Sequence, residues 1–155
     1  DRFFGREKLT QHLLEVFRSL YDQKPGLPVT LRILSILGPS GSGKSSSARA
    51  GLLPELAHKP LPGLQSPRVA IVTPGSRPLG ALASVLARIE ASDKTTVATV
   101  REFTEELKQR NTEGKYDGLR RIAEVLPDIA NSPLIILIDQ FKFESIDEIS
   151  FVMDI

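Results

Sequence analysis

Apolar residues recur at helical steps near the start of the chain. Leu9, Leu13, Val16, Phe17 and Leu20 fall three or four positions apart, the spacing of one helix face, and predict an amphipathic helix that ends before Pro25-Gly26. Leu31 to Leu37 is a short apolar run bounded by turn residues and reads as a buried strand. A loop over Gly38 to Gly43 follows, and a helix is expected to open at Lys44 and to break near Gly51 and Pro54. Val69 to Val72 is a second strand candidate. Leu79, Leu82, Val85, Leu86 and Ile89 form a helical stripe, with Pro78 suited to its first turn. Val100, Phe103 and Leu107 predict one more helix, and Leu119, Ile122, Val125 and Leu126 another beyond Gly114. Leu134 to Ile138 is the most apolar strand candidate and ends in Asp139.

Strands that are apolar throughout and alternate with helices predict an α/β fold with a mainly parallel sheet between helices. The chain contains no internal repeat and no low-complexity segment. Its 155 residues suit one compact core. The expected organisation is a single domain over 1–155, with an N-terminal helix region over 1–24, a binding core over 29–141 and a short tail over 142–155. Because the chain starts at Asp1 rather than Met, it is expected to be part of something longer.

Composition changes this picture little. A formal net charge of +1 supplies no general attraction to nucleic acid or to a membrane surface. No apolar run approaches the roughly 18 residues of a membrane helix. With no cysteine, disulfides, thiolate metal sites and Cys nucleophiles are excluded, and a cytoplasmic location is the expectation.

The informative chemistry lies in Gly38-Pro39-Ser40-Gly41-Ser42-Gly43-Lys44-Ser45. It fits G-x-x-x-x-G-K-[ST] at every fixed position, a pattern expected by chance in a chain of this length only about half a per cent of the time. A predicted strand precedes it and a predicted helix follows, the context that the motif requires. Glycines let the backbone turn several N–H groups toward one anion, and the opening helix adds its positive end. Lys44 can reach the β- and γ-phosphates of a nucleoside triphosphate, and the Ser45 hydroxyl can ligate Mg²⁺. Ser46 is a candidate for the α-phosphate. The structural alternative is a Gly/Ser-rich turn between strand and helix.

Such a loop needs an acidic partner for the metal, at the end of a buried strand. Asp139 is the candidate, since a carboxylate there is costly unless it is paired or faces a cation; otherwise it merely ends the strand and starts a turn. Gln140 follows and can orient water but takes no proton at neutral pH. Glu144 is the nearest acidic candidate beyond it, with Asp147 and Glu148 close by; a solvated acidic turn is the alternative for all three.

Further residues carry a resemblance. Phe3-Phe4-Gly5-Arg6-Glu7, the phosphate loop through Ser46, Arg49-Ala50-Gly51-Leu52-Leu53-Pro54, Pro74-Gly75-Ser76-Arg77-Pro78-Leu79 and Leu137-Ile138-Asp139-Gln140-Phe141 together resemble the core of STAND proteins. These are signal-transduction ATPases with numerous domains, and the group resembled is the novel STAND NTPase group often fused to WD repeats. The resemblance runs from Asp1 to Phe141. It implies a three-layer P-loop NTPase fold and a molecular switch set by ATP or ADP with Mg²⁺, working with other domains of a longer chain and through nucleotide-dependent self-association. It also implies that Phe4, Gly5 and Arg6 lie near the adenine; read structurally, Phe3 and Phe4 form a hydrophobic staple for the first helix. One departure is plain. The family continues Asp-Gln-Phe with two acidic residues, where this chain has Lys142 and Phe143, so hydrolysis is in question while binding is not. The stretch after Asp139 is too short for the family's remaining strands and lid, and a truncated core is expected, with Ile149 to Ile155 available for one more strand.

Three alternatives stand beside the switch. A small kinase would need an arginine-rich lid, for which Arg120-Arg121 is the only adjacent pair. A GTPase would need an N/T-K-x-D loop, which Asp93-Lys94-Thr95 does not supply. A non-hydrolysing binding module fits Lys142 and Phe143.

Overall fold

The computed structural model describes residues 7–21, 32–91, 97–129 and 131–140. The chain divides into two compact units, Asp1–Pro67 and Arg68–Ile155.

In the first unit the predicted amphipathic helix forms as α1, Glu7–Ser19. Its ends suit the helix dipole, with Glu7 in the first turn and Arg18 in the last. Leu13, Leu14 and Phe17 are its buried residues. Helical structure resumes at Lys44 and runs to His58 as α2 (Lys44–Ser46), a π-helical turn (Ser47–Leu52) and α3 (Leu53–His58). The expected break near Gly51 and Pro54 is therefore a change of pitch rather than an end. Pro54 has no N–H to give, and its ring would press on the carbonyl four residues back. The wider turn just before it relieves this, and the Leu53 N–H reaches the Ala48 carbonyl, the i→i−5 bond of a π-helix. Ala48, Leu52, Leu53 and Leu56 are buried along this stretch.

Gly51 lets α1 lie against the π-turn. A Cβ at this position would stand 2.5 Å from Thr10 Oγ1 and 3.2 Å from Thr10 Cγ2, closer than atoms pack. The place of Gly51 in the motif set is thus a packing requirement.

The expected strand over Leu31 to Leu37 is a correction. Leu31 lies outside the described residues, and residues 32–39 carry no regular secondary structure. Ile33 is 49% exposed and Leu37 85% exposed. An apolar run becomes a strand only where a neighbour takes its N–H and C=O groups, and the two-stranded sheet among the described residues is built elsewhere.

That sheet lies in the second unit. β1 (Arg68–Val72) and β2 (Leu134–Ile138) pair in parallel, with Arg68 beside Leu134 and Val72 beside Ile138. The Arg68 N–H bonds to the Pro133 carbonyl and the Asp139 N–H to the Val72 carbonyl, each at 2.9 Å, so the ladder runs past both strand ends. Parallel pairing demands a long crossover, supplied by α4 (Pro78–Ala91), α5 (Val97–Lys108) and α6 (Gly118–Val125). Leu82, Ala83, Leu86 and Ala87 of α4 are almost wholly buried and join Val72, Phe103, Leu107 and Ile122 in one core. Leu134 and Ile136 pack against that core. Val125 departs from the expected apolar stripe, being 66% exposed. The fold is α/β. No helix among the described residues is long and apolar enough to cross a membrane.

The Gly51 contact is testable by melting. Gly51→Ala is expected to destabilise the chain by about 1–3 kcal/mol, and adding Thr10→Ala should recover most of the loss. An unaltered melting point in the single variant would contradict the packing account.

Candidate functional site

The motif residues Gly38 to Ser46 form one loop running into α2. Gly41 and Gly43 both hold left-handed backbones, with φ of 74° and 83°, a conformation costly for any residue carrying a Cβ. Gly43 is the residue immediately before α2, so the loop enters the helix through a position only glycine fills without strain. The Ser42 N–H closes the bend on the Pro39 carbonyl at 3.2 Å.

Lys44 turns back over this loop. Its Nζ donates to the Gly38 carbonyl at 2.6 Å and the Pro39 carbonyl at 2.7 Å. An ammonium carries three donors, so these bonds hold the charge at the loop and leave one donor for an anion. Ser45 is half-buried and Ser46 exposed. Ser47, which the motif does not include, is fully buried. Its backbone N–H and its Oγ both donate to the Gly43 carbonyl, at 2.8 and 2.9 Å. The first carbonyl of the helix is thereby doubly held and the left-handed glycine fixed in place.

A cleft of about 250 Å³ opens beside the loop. Leu9 of α1 lines one part, Ile36 and Leu37 another, and Gly38, Pro39, Ser42, Lys44 and Ser47 the remainder. Its lining therefore combines apolar side chains with Lys44.

Helix α1 grips both flanks of the loop. Behind the loop, Thr10 meets Gly51, and Arg18 Nη2 donates to the Lys59 carbonyl at the end of α3, at 3.3 Å. Ahead of the loop, Arg32 Nε donates to the Leu20 carbonyl at 2.8 Å, and the guanidinium lies 4.5 Å from the centre of the Tyr21 ring. The Leu20 carbonyl belongs to the helix end, where intrahelical donors run out, so Arg32 caps α1 from twelve residues away. Tyr21 in turn packs on Phe17, ring centres 5.6 Å apart. Burial pushes the Tyr21 phenol above its ordinary value of 10.0, and the Arg32 charge acts against that rise. None of Thr10, Tyr21, Arg32 or Ser47 is marked by a sequence pattern. Each acts through a partner that only the folded chain supplies.

Asp139 and Gln140 lie in the second unit, at the carboxyl end of β2. Asp139 is buried. Since Leu134 and Ile136 face the helical core, strand alternation puts Asp139 on the other face of the sheet. Gln140 has φ of 60°, a left-handed backbone uncommon for a residue with a side chain. Phe4, Gly5, Arg6 and Glu144 lie outside the described residues. Arg120 and Arg121, the pair considered for a kinase lid, are engaged in ion pairs. Arg121 binds Glu106 and, at 2.8 Å, Asp117, and Arg120 binds Glu124 at 3.0 Å. They tie α6 to α5.

A family model described as Novel STAND NTPase 1 matches residues 1–146. No curated protein and no solved structure gives a significant match.

The buried phenol gives a direct check on the α1 end. Its folded value is raised, so Tyr21 contributes stability in full below pH 10 and loses it as pH rises through the folded value. In a Tyr116→Phe background, which leaves Tyr21 as the sole tyrosine, the midpoint of the tyrosinate absorbance titration should lie above 10.0. A midpoint at or below 10.0 would contradict the packed arrangement.

Proposed function

The chain belongs to the Novel STAND NTPase 1 family, and we propose that it binds ATP with Mg²⁺ and serves as a nucleotide-dependent switch within a larger protein. The observation that carries the proposal is the loop itself. Its two left-handed glycines and the folded-back Lys44 make a cradle in which backbone N–H groups and one ammonium meet an anion. The residues fit the group. Phosphates would be held by the amides of Gly41, Gly43, Lys44 and Ser45 and by the Lys44 ammonium, with Ser46 at the α-phosphate. The base would enter the cleft against Leu9, Ile36 and Leu37, near the Phe4-Gly5-Arg6 segment.

The fold proposed is the family's three-layer P-loop core. In open α/β sheets, ligands bind outside the carboxyl ends of strands, where Asp139 stands. Ser45 and Asp139 are the proposed ligands of Mg²⁺. The metal, when bound, neutralises charge on the phosphates. Gln140 or Glu144 would orient water at the γ-phosphate. Loss of that phosphate would remove contacts at the loop and shift a conformational equilibrium, read by other domains of the parent protein or by self-association. A cytoplasmic setting is part of the same proposal. Lys142 and Phe143 favour a second reading, a module that binds nucleotide without hydrolysing it.

Thermal melting with Mg²⁺ and ATP, ADP or GTP tests the first reading. A ligand at about 100 times its Kd adds roughly 2.7 kcal/mol, which should raise Tm by several degrees, and Lys44→Ala should abolish the rise. No shift with any nucleotide would overturn the binding proposal. Phosphate release that vanishes in Asp139→Asn would eliminate the non-hydrolysing module.

A further inference from the structure

We propose that Arg32 is a positioning residue for nucleotide recognition: by clamping the segment ahead of the phosphate loop to the end of α1, it sets the cleft that receives the base. The inference rests on reading the loop as a nucleotide site.

Residues 32–37 have no strand partner among the described residues, so their course is set by side chains. One end is fixed at the carboxyl end of α1, where Arg32 bonds to the Leu20 carbonyl and stacks on Tyr21. At the other end Ile36 and Leu37 line the cleft together with Leu9, a residue of the first turn of α1. The segment therefore runs back along α1 from its last residues to its first. From Leu20 to Leu9 the helix covers about 16 Å, at 1.5 Å per residue. From residue 32 to residue 37 a fully extended chain reaches about 16–18 Å. The segment is thus long enough to run from one end of α1 to the other. A guanidinium released from Leu20 and Tyr21 would let Ile36 and Leu37 drift from Leu9, and the cleft would widen.

Lys44, Gly43 and Ser47 are held differently, by bonds within the loop and its helix. The clamp should thus govern the base end of the site and leave the phosphate end alone.

Titration calorimetry with two ligands, Mg-ATP and inorganic triphosphate, separates the ends. Arg32→Ala should weaken ATP binding by about three- to tenfold, a part of the worth of one hydrogen bond and one exposed cation–π contact, while triphosphate binding stays within about twofold. Tyr21→Leu, which removes the ring and keeps the Arg32 side chain, should show the same split, smaller. Arg32→Lys should restore part of the ATP affinity, since an ammonium can still reach the Leu20 carbonyl. Equal losses for both ligands would show a general structural role and overturn the proposal, as would no loss for either. Wild-type chain that binds neither ligand would instead refute the nucleotide site itself, and the clamp's role with it.

Discussion

A short flexible loop can present several N–H groups to one anion only if the helix that it feeds is fixed from outside. Here that support is α1. The Thr10–Gly51 contact fixes the helix that leaves the loop and Arg18 caps the end of α3, while Arg32 orders the apolar segment ahead of the loop rather than the loop's own bend. The glycines then need only supply handedness, and Ser47 locks the junction by its two bonds to the Gly43 carbonyl. An amphipathic helix outside the motif thereby becomes part of the binding apparatus.

The second unit follows a different economy. Its parallel pair is short, and a parallel pair has to be closed by a long connection. The connection stabilises itself through the buried α4 stripe and the α5–α6 contacts around Phe103, Leu107 and Ile122. The ladder continues to the Asp139 N–H, after which the backbone takes the left-handed turn at Gln140. A non-glycine residue in this region costs of order 1–3 kcal/mol and persists where its surroundings impose it, often at functional sites. That the cost falls beside a buried carboxylate accords with the proposed role of Asp139 and Gln140.

Much of this was legible in the residue pattern. α1, α4, α5, α6 and β2 lie where the apolar spacing puts them, because each buries one stripe and periodicity records which. The loop was legible because its glycines are demanded by backbone geometry. The run before the loop has the apolarity of a strand and forms none, since apolarity marks a segment that can pair and says nothing of whether a partner is there. Gly51 and Pro54 signal a helix break, whereas a π-turn absorbs the proline. The Arg32–Tyr21 clamp and the handedness of Gln140 carry no local signal. The first joins residues across an eleven-residue interval, and the second is imposed on a residue type that does not favour it.

On the proposed reading, the backbone N–H groups of the loop hold the phosphates of a nucleotide. Hydrogen exchange resolved along the chain, with and without Mg-ATP, reads those amides themselves. The amides of residues 40–46 should exchange more slowly when nucleotide is bound, and Lys44→Ala should remove that protection. Nucleotide binding that protects other segments and leaves these amides unchanged would contradict it.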